Sequence, residues 1–167
     1  GIVIIMQNKI LYLSYNGLLE PLGQSQIIPY IEILSEFSDI SIISIENDKS
    51  LFYKLENKIK KNFDNKKILW KFYKRNDFSK IKNLFLIIKI IFSSIYIIYK
   101  KKINIIHARS YIPGFIGLIL KKINSNIKLI YDIRGFWVDE KTDRLNYSKK
   151  FLYKLFGFID KSIYKNS

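Results

Sequence analysis

The feature that most constrains the fold is an alternation. Short apolar runs rich in β-branched and aromatic residues recur along the chain, with helical or charged segments between them. The runs are KILYLSY (9–15), DISIISIEN (39–47), KKILWKFYK (66–74), INIIHARS (103–110) and NIKLIYDIRG (126–135). After the first, Ile27, Ile31 and Leu34 keep helical spacing, and Pro29 suits the opening turn of a helix that begins between Ser25 and Ile28. Residues 50–62 read as a short charged helix. Ser110 reads as the N-cap of a helix with Pro113 near its start, and 147–164 as a last helix. Strands alternating with helices predict an α/β domain, a mainly parallel sheet covered on both faces. No internal repeat interrupts the pattern, and no linker rich in Pro, Gly or Ser.

The segment IKNLFLIIKIIFSSIYIIYK (81–100) is apolar enough to raise the question of a membrane. A span needs about 20 apolar residues in a row, and Lys89 interrupts this one. Lys82, Lys89, Ser93, Tyr96 and Lys100 share one narrow helical stripe. That pattern predicts a packed helix with one wet edge. An interfacial helix and a true span are the alternatives, because one apolar face cannot fill a core and meet lipid together.

The 167 residues suffice for one domain with a real core, and 49% hydrophobic content is that of a folded chain. Residues 1–8 read as an N-terminal extension to a domain over 9–167, and GIVII (1–5), before the single methionine, is too short for a signal peptide. The absence of cysteine removes disulfides, thiolate chemistry and cysteine zinc sites, and fits a reducing compartment. One histidine, His107, leaves no histidine-rich metal site.

The formal charge of +15 is unevenly spread: −5 over residues 1–48, +13 over 49–102 and +7 over 103–167. The middle third is suited to anionic headgroups or another polyanion. An AT-rich genome, marked by the crowding of Ile, Lys, Asn, Phe and Tyr, is the competing source of the lysines. No helix-turn-helix, zinc-finger or RNP pattern accompanies the charge, so nucleic acid is not an expected partner.

In parallel sheets, ligands sit beyond the carboxyl ends of the strands. Three unusual segments fall at such ends. NGLLEPLGQSQ follows the first strand, and its Gly17 and Gly23 permit close approach of a ligand to the backbone, or form an ordinary turn. HARS ends the fourth strand. There His107 suits a sugar hydroxyl, acid/base work or a structural role, and Arg109 suits a phosphate or carboxylate or lies on the surface. DIRGFWVDE ends the fifth. Its Asp132, Arg134, Asp139 and Glu140, with Lys141 next in sequence, around Phe136 and Trp137 make either a sugar-binding mixture or a salt-bridged loop.

Taken together, KILYLSYNGLLEPLGQSQIIPYIEILS, IIHARSYIPGFIGLILKK and IYDIRGFWVDEKTDR resemble the N-terminal domain of family 4 glycosyltransferases, in order from about residue 9 to 167. The resemblance implies a Rossmann-like three-layer α/β/α domain, one half of a GT-B fold. It implies a hexosyltransferase-like enzyme that moves sugar from a nucleotide-sugar donor to a glycan or lipid-linked acceptor with retained anomeric configuration, often in surface-polysaccharide assembly. The N-terminal domain mainly holds the acceptor and a second domain the donor. Carried over by motif, Gly17, Gly23 and Gln24 border the cleft near the donor diphosphate, and His107 lies near the transferred sugar. Arg109, Arg134, Trp137, Asp139 and Glu140 shape the acceptor side. No cofactor or bound metal is implied. The location implied is the cytoplasm, peripheral on the inner membrane face.

The chain departs from that pattern at IDKSIYKNS, where the family continues into a strand and the donor domain. The expectation is therefore half of an enzyme, unable to transfer sugar alone. The rival is a non-catalytic basic module that docks on anionic membrane or another polyanion.

Overall fold

The structure, a computed structural model, describes residues 7–47, 53–75 and 80–132. The expected helix at 147–164 lies outside the described residues. Five strands form one sheet: β1 (Asn8–Ser14), β2 (Ser38–Asn47), β3 (Leu69–Arg75), β4 (Ile105–Arg109) and β5 (Lys128–Asp132). Their order is β3-β2-β1-β4-β5, and every neighbouring pair is parallel. β1 is central and buried from Ile10 to Ser14, as its unbroken apolar run requires. The chain leaves β1 for one edge, then crosses back over it to β4.

The helices sort onto two faces. Helix α1 (Ile28–Leu34) and α2 (Tyr53–Asn65) cover one, where Ile27, Ile31, Ile59 and Phe63 pack on Ile10, Tyr12 and Ile42. Helix α3 (Lys80–Lys101) and α4 (Tyr111–Ile123) cover the other, where Ile90, Ile98, Ile116 and Leu120 meet Leu11, Leu13 and Ile106. The alternation of Ile10 and Tyr12 with Leu11 and Leu13 feeds the two cores in turn. The result is the three-layer, parallel, Rossmann-like α/β architecture that the alternation foretells.

Several boundaries differ from the sequence pattern, each for a physical reason. The helix after β1 begins at Pro21, four residues or more before its expected start, and its Gly23–Ile27 portion is π-helical. Pro29 has no N–H, and its ring crowds the carbonyl four residues back. The ladder widens instead, and the Ile28 N–H donates to the Gly23 carbonyl five residues back. β3 begins at Leu69 because Lys67 closes α2 in a left-handed turn (φ 57°), with the Ile68 N–H on the Phe63 carbonyl at 2.8 Å. Ser110 occupies the N-cap position of α4, but its side chain makes no cap bond and its φ is 78°.

Helix α3 is packed, though not as its polar stripe suggests. Ile90, Ser94, Ile97 and Ile98 are buried against the sheet, and Ser93 is buried with them instead of joining a wet edge. Lys82, Lys89, Tyr96 and Lys100 are exposed, beside a second apolar face that points outward.

The turn after β1 is packed closely on itself. A Cβ on Gly23 would lie 2.2 Å from the Gly17 carbonyl oxygen and 2.6 Å from Leu18 Cα, both backbone atoms with little room to move. A Cβ on Gly117 would meet only the flexible end of Leu129, at 2.6 Å. Gly23→Ala is expected to cost about 1–3 kcal/mol, the range for overpacking, and Gly117→Ala less. Urea denaturation of the two variants checks the ranking.

Candidate functional site

Strand order puts the carboxyl ends of β4, β1 and β2 side by side, with β5 beyond β4. The chain reverses direction between β1 and β4, the place where sheets of this kind open a crevice. Two of the three flagged segments meet there. Tyr12 and His107 are register partners across β1 and β4, and their rings stand edge to face at 4.8 Å. Tyr30, on α1, reaches over from the turn side. Its hydroxyl lies 3.2 Å from His107 Nδ1 in a hydrogen bond, and its ring is 5.5 Å from the imidazole. His107 is 8% exposed and Tyr30 41% exposed, so the tyrosine is the outer member of the pair.

Arg109 stands two residues on, on the same face of β4. It is 2% exposed, and its guanidinium donates to Gln26 Oε1 at 2.8 Å. Its Nε has no hydrogen-bond partner among the described residues. Asp132 is its register partner on β5. Burial raises the Tyr12 phenol above its ordinary value, partly offset by a hydrogen bond from Arg109. Burial also raises the Tyr30 phenol, with the Asp132 charge adding to it. Both tyrosines therefore stay protonated at neutral pH. The cluster joins a cation, a carboxylate, an imidazole and two phenols at one rim, and it can offer hydrogen bonds to hydroxyls and charge to an anion.

Ser110 follows Arg109 with φ 78° and ψ 175°. Strain in that region costs about 1–3 kcal/mol for a side-chain-bearing residue and persists only where surroundings enforce it. Here the Ser110 N–H is held by the Asp132 carbonyl (3.1 Å), and the Ser110 carbonyl accepts from Gly114 (2.9 Å). The strained turn sets the start of α4 beside Arg109.

The glycine turn is stabilised from the neighbouring strand. Glu46, at the end of β2, is 1% exposed. Its carboxylate accepts from the Leu18 N–H (2.8 Å), the Leu19 N–H (3.1 Å) and the Ser44 hydroxyl (2.6 Å). A Cβ on Gly17 would meet Glu46 Oε2 at 2.3 Å. Gln24 donates to the Leu19 carbonyl at 2.9 Å. Neither Gly17 nor Gly23 has a left-handed φ. The space that the glycines leave is thus filled by Glu46 and by the turn itself. Two of the turn's backbone donors serve the protein's own carboxylate.

Of the expected site residues, the structure brings His107, Arg109 and the Gly17–Gly23–Gln24 turn to one rim, linked through Tyr30 and Gln26. Arg134, Trp137, Asp139 and Glu140 lie outside the described residues. Sequence reasoning missed Glu46, Tyr12, Tyr30 and Gln26. Glu46 carried a signal, an acid next to the carboxyl end of the second strand; Tyr12, Tyr30 and Gln26 carried none. No group of three or more His, Asp or Glu suited to a metal occurs among the described residues.

The fold has known counterparts. No protein-family model matches the chain, and no curated protein does. A crystal structure of a glycosyltransferase from Rickettsia africae ESF-5 superposes with a TM-score of 0.53 at 20% identity, covering 89% of this chain and 34% of that one. A crystal structure of an isoflavone reductase superposes with a TM-score of 0.50 at 15% identity, covering 95% and 46%. The chain therefore spans about a third and under half of these two proteins. At such identities the likeness is one of fold, here Rossmann-like and found in a transferase and a reductase.

Burial holds the Glu46 carboxyl above its ordinary value, opposed by its hydrogen bonds from Ser44, Leu18 and Leu19. The folded state therefore binds this proton more readily than the unfolded chain does. That contribution to stability is complete below the unfolded pKa and is lost as pH rises through the folded one. Glu46→Gln removes the titration. As pH falls from 7 toward the ordinary glutamate range, the stability difference between the two proteins is expected to move in favour of wild type. Thermal melts of both at several pH values check the sign.

Proposed function

We propose that this chain is the acceptor-side half of a two-domain, GT-B glycosyltransferase of the family 4 type. In this reading the enzyme moves a hexose from a nucleotide-sugar to a glycan or lipid-linked acceptor, with retained configuration, in the assembly of surface polysaccharide. The observation that carries it is the occupied turn. A domain that grips a dinucleotide uses the backbone N–H groups after its first strand for the diphosphate. Here Glu46 holds the Leu18 and Leu19 donors, and the sequence lacks the G-x-G-x-x-G spacing. A Rossmann-like domain whose own diphosphate cradle is filled suits the acceptor side better than a nicotinamide-dependent reductase. The donor then belongs to a partner domain, with the outer surface of the Gly17–Gly23–Gln24 turn bordering its diphosphate.

Within this reading His107 stands near the transferred sugar, its ring fixed by Tyr30 and Tyr12. Arg109, buried with an unused Nε donor, meets an acidic group of the acceptor, and Arg134, Trp137, Asp139 and Glu140 complete that side. No cofactor or metal is called for, because basic side chains and helix ends stabilise the leaving diphosphate.

The single histidine makes a clean reporter, since only one imidazole signal arises from the chain. NMR titration of the 167-residue chain with a short polyprenyl diphosphate-linked sugar is expected to move that signal. Arg109→Lys is expected to weaken the response about tenfold or more, through loss of the planar donor set. NADPH is expected to leave the signal in place. Micromolar NADPH binding, or release of UDP from UDP-glucose by the isolated chain, would refute the assignment.

A further inference from the structure

We propose that the cleft at the amino-terminal rim of the sheet binds a small soluble oligophosphate, a short chain of linked phosphates, free or carried on a nucleoside. The cleft has a volume of about 420 Å³ and is lined by Lys9, Lys67, Lys100, Lys101 and Lys102, with Asp39 as its one acid. That volume is within the usual range for a ligand pocket. Topology builds the cleft. Lys9 stands at the start of β1 and Asp39 at the start of β2, while Lys67 precedes β3 and Lys100, Lys101 and Lys102 precede β4. Strand order then sets these charges along one rim. Two hydrogen bonds fix its centre: the Lys9 N–H donates to Asn104 Oδ1 at 2.8 Å, and the Asn104 N–H to the Lys9 carbonyl at 3.0 Å.

The balance of charge calls for an anion. Basic residues near a helix carboxyl end are ordinary, because they offset the macrodipole, and α2 and α3 both end at this rim. Each helix end supplies about half a negative charge, and Asp39 supplies one more. Against the five lysines, an excess of about three positive charges remains. Lys100 donates to the Tyr96 hydroxyl at 2.9 Å, a neutral partner. The side chains of Lys9, Lys67, Lys101 and Lys102 have no ion pair among the described residues. Like charges that converge on a concave surface raise the local potential and draw in a polyvalent anion.

The backbone supplies a second observation. Lys67 and Lys102 hold left-handed φ values of 57° and 56°. In each case the next residue closes the helix, the Ile68 N–H on the Phe63 carbonyl (2.8 Å) and the Ile103 N–H on the Ile98 carbonyl (3.0 Å). Ile68 and Ile103 are both buried, so the two turns are anchored in the same way. Glycine is the favoured residue at such positions. Lysine at both, lining one cleft, puts ammonium groups where the turns themselves need no side chain. A short phosphate chain enters a cleft and accepts charge-assisted hydrogen bonds from several ammonium groups together. The cleft is at the opposite ends of the strands from Arg109 and the glycine turn. The inference therefore does not rest on the sugar-transfer reading, and either test can fail alone.

The test is isothermal titration calorimetry of the 167-residue chain with tripolyphosphate, orthophosphate and ATP, at about 0.15 M salt. Tripolyphosphate is expected to bind at a single site, about tenfold or more tighter than orthophosphate. ATP binding as tightly as tripolyphosphate assigns a nucleotide as the carrier, and weaker ATP binding assigns the free phosphate chain. The decisive variant is Lys67→Gly with Lys102→Gly. Glycine suits both backbone positions, so the melting temperature is expected to hold or rise while tripolyphosphate binding weakens about tenfold or more. Should that pair melt lower, Lys101→Gln, at an exposed position, decides in its place, with binding expected to weaken about threefold or more. Lys54→Gln with Lys58→Gln removes the same charge from exposed positions of α2 outside the cleft, and is expected to change binding by less than about twofold. No tripolyphosphate binding at about 1 mM overturns the proposal. So does wild-type affinity in the glycine pair, or in Lys101→Gln where that variant decides. An equal loss in the Lys54 and Lys58 pair reduces the effect to net charge and overturns it as well.

Discussion

Glu46 is the point at which the second strand reaches back to hold the turn that follows the first. Its carboxylate is buried, so an ionised form there is stable only with its hydrogen bonds in place. Leu18, Leu19 and Ser44 supply them, and a bond to a charged acceptor contributes about 1.5–3 kcal/mol. Gly17 has no side chain because Glu46 Oε2 occupies the place of one. Gly23 has none because the backbone at Gly17 and Leu18 does. The helix that starts at Pro21 leaves from this turn, and it carries Gln26 and Tyr30 to their partners on β4.

These contacts explain what could and could not be read from the residues. The five strands and their parallel arrangement were legible because buried strands of a doubly covered sheet are continuous apolar runs. His107 and Arg109 were each singled out because both close the fourth run, and adjacency of β1 and β4 brings them to the turn. Glu46 was not interpreted, since its partners are backbone groups 27 and 28 residues away. The glycines were read as points where a ligand comes close to the backbone or as an ordinary turn, and composition does not say what approaches. Here it is the protein itself. Tyr30 is one of 12 tyrosines. Its importance comes from a tertiary contact across 77 residues, and no local pattern marks that.

Ser110 and Ser93 show a related limit. Serine before a helical run suggests a cap, but the Ser110 backbone is committed to Asp132 and Gly114, and φ 78° turns its side chain away from that task. Serine among lysines on a helical wheel suggests a wet edge, but Ser93 is buried. In both, neighbours distant along the chain decide what the residue does, and propensity is overridden.

The Rossmann-like fold is shared by a transferase and a reductase, so architecture does not choose between them. What bears on the proposed reading is the donors at the strand ends. A nicotinamide enzyme needs the backbone N–H groups after β1 free for a diphosphate, and it keeps the acid at the end of β2 for a ribose hydroxyl. In this chain that acid and those donors satisfy each other. Loading a dinucleotide would mean extracting a buried carboxylate and finding it new partners, at a cost of several hydrogen bonds. A hydroxyl-rich or acidic ligand at the His107–Arg109–Tyr30 rim requires no such rearrangement, because that cluster is built from β4 and α1 and leaves the turn closed.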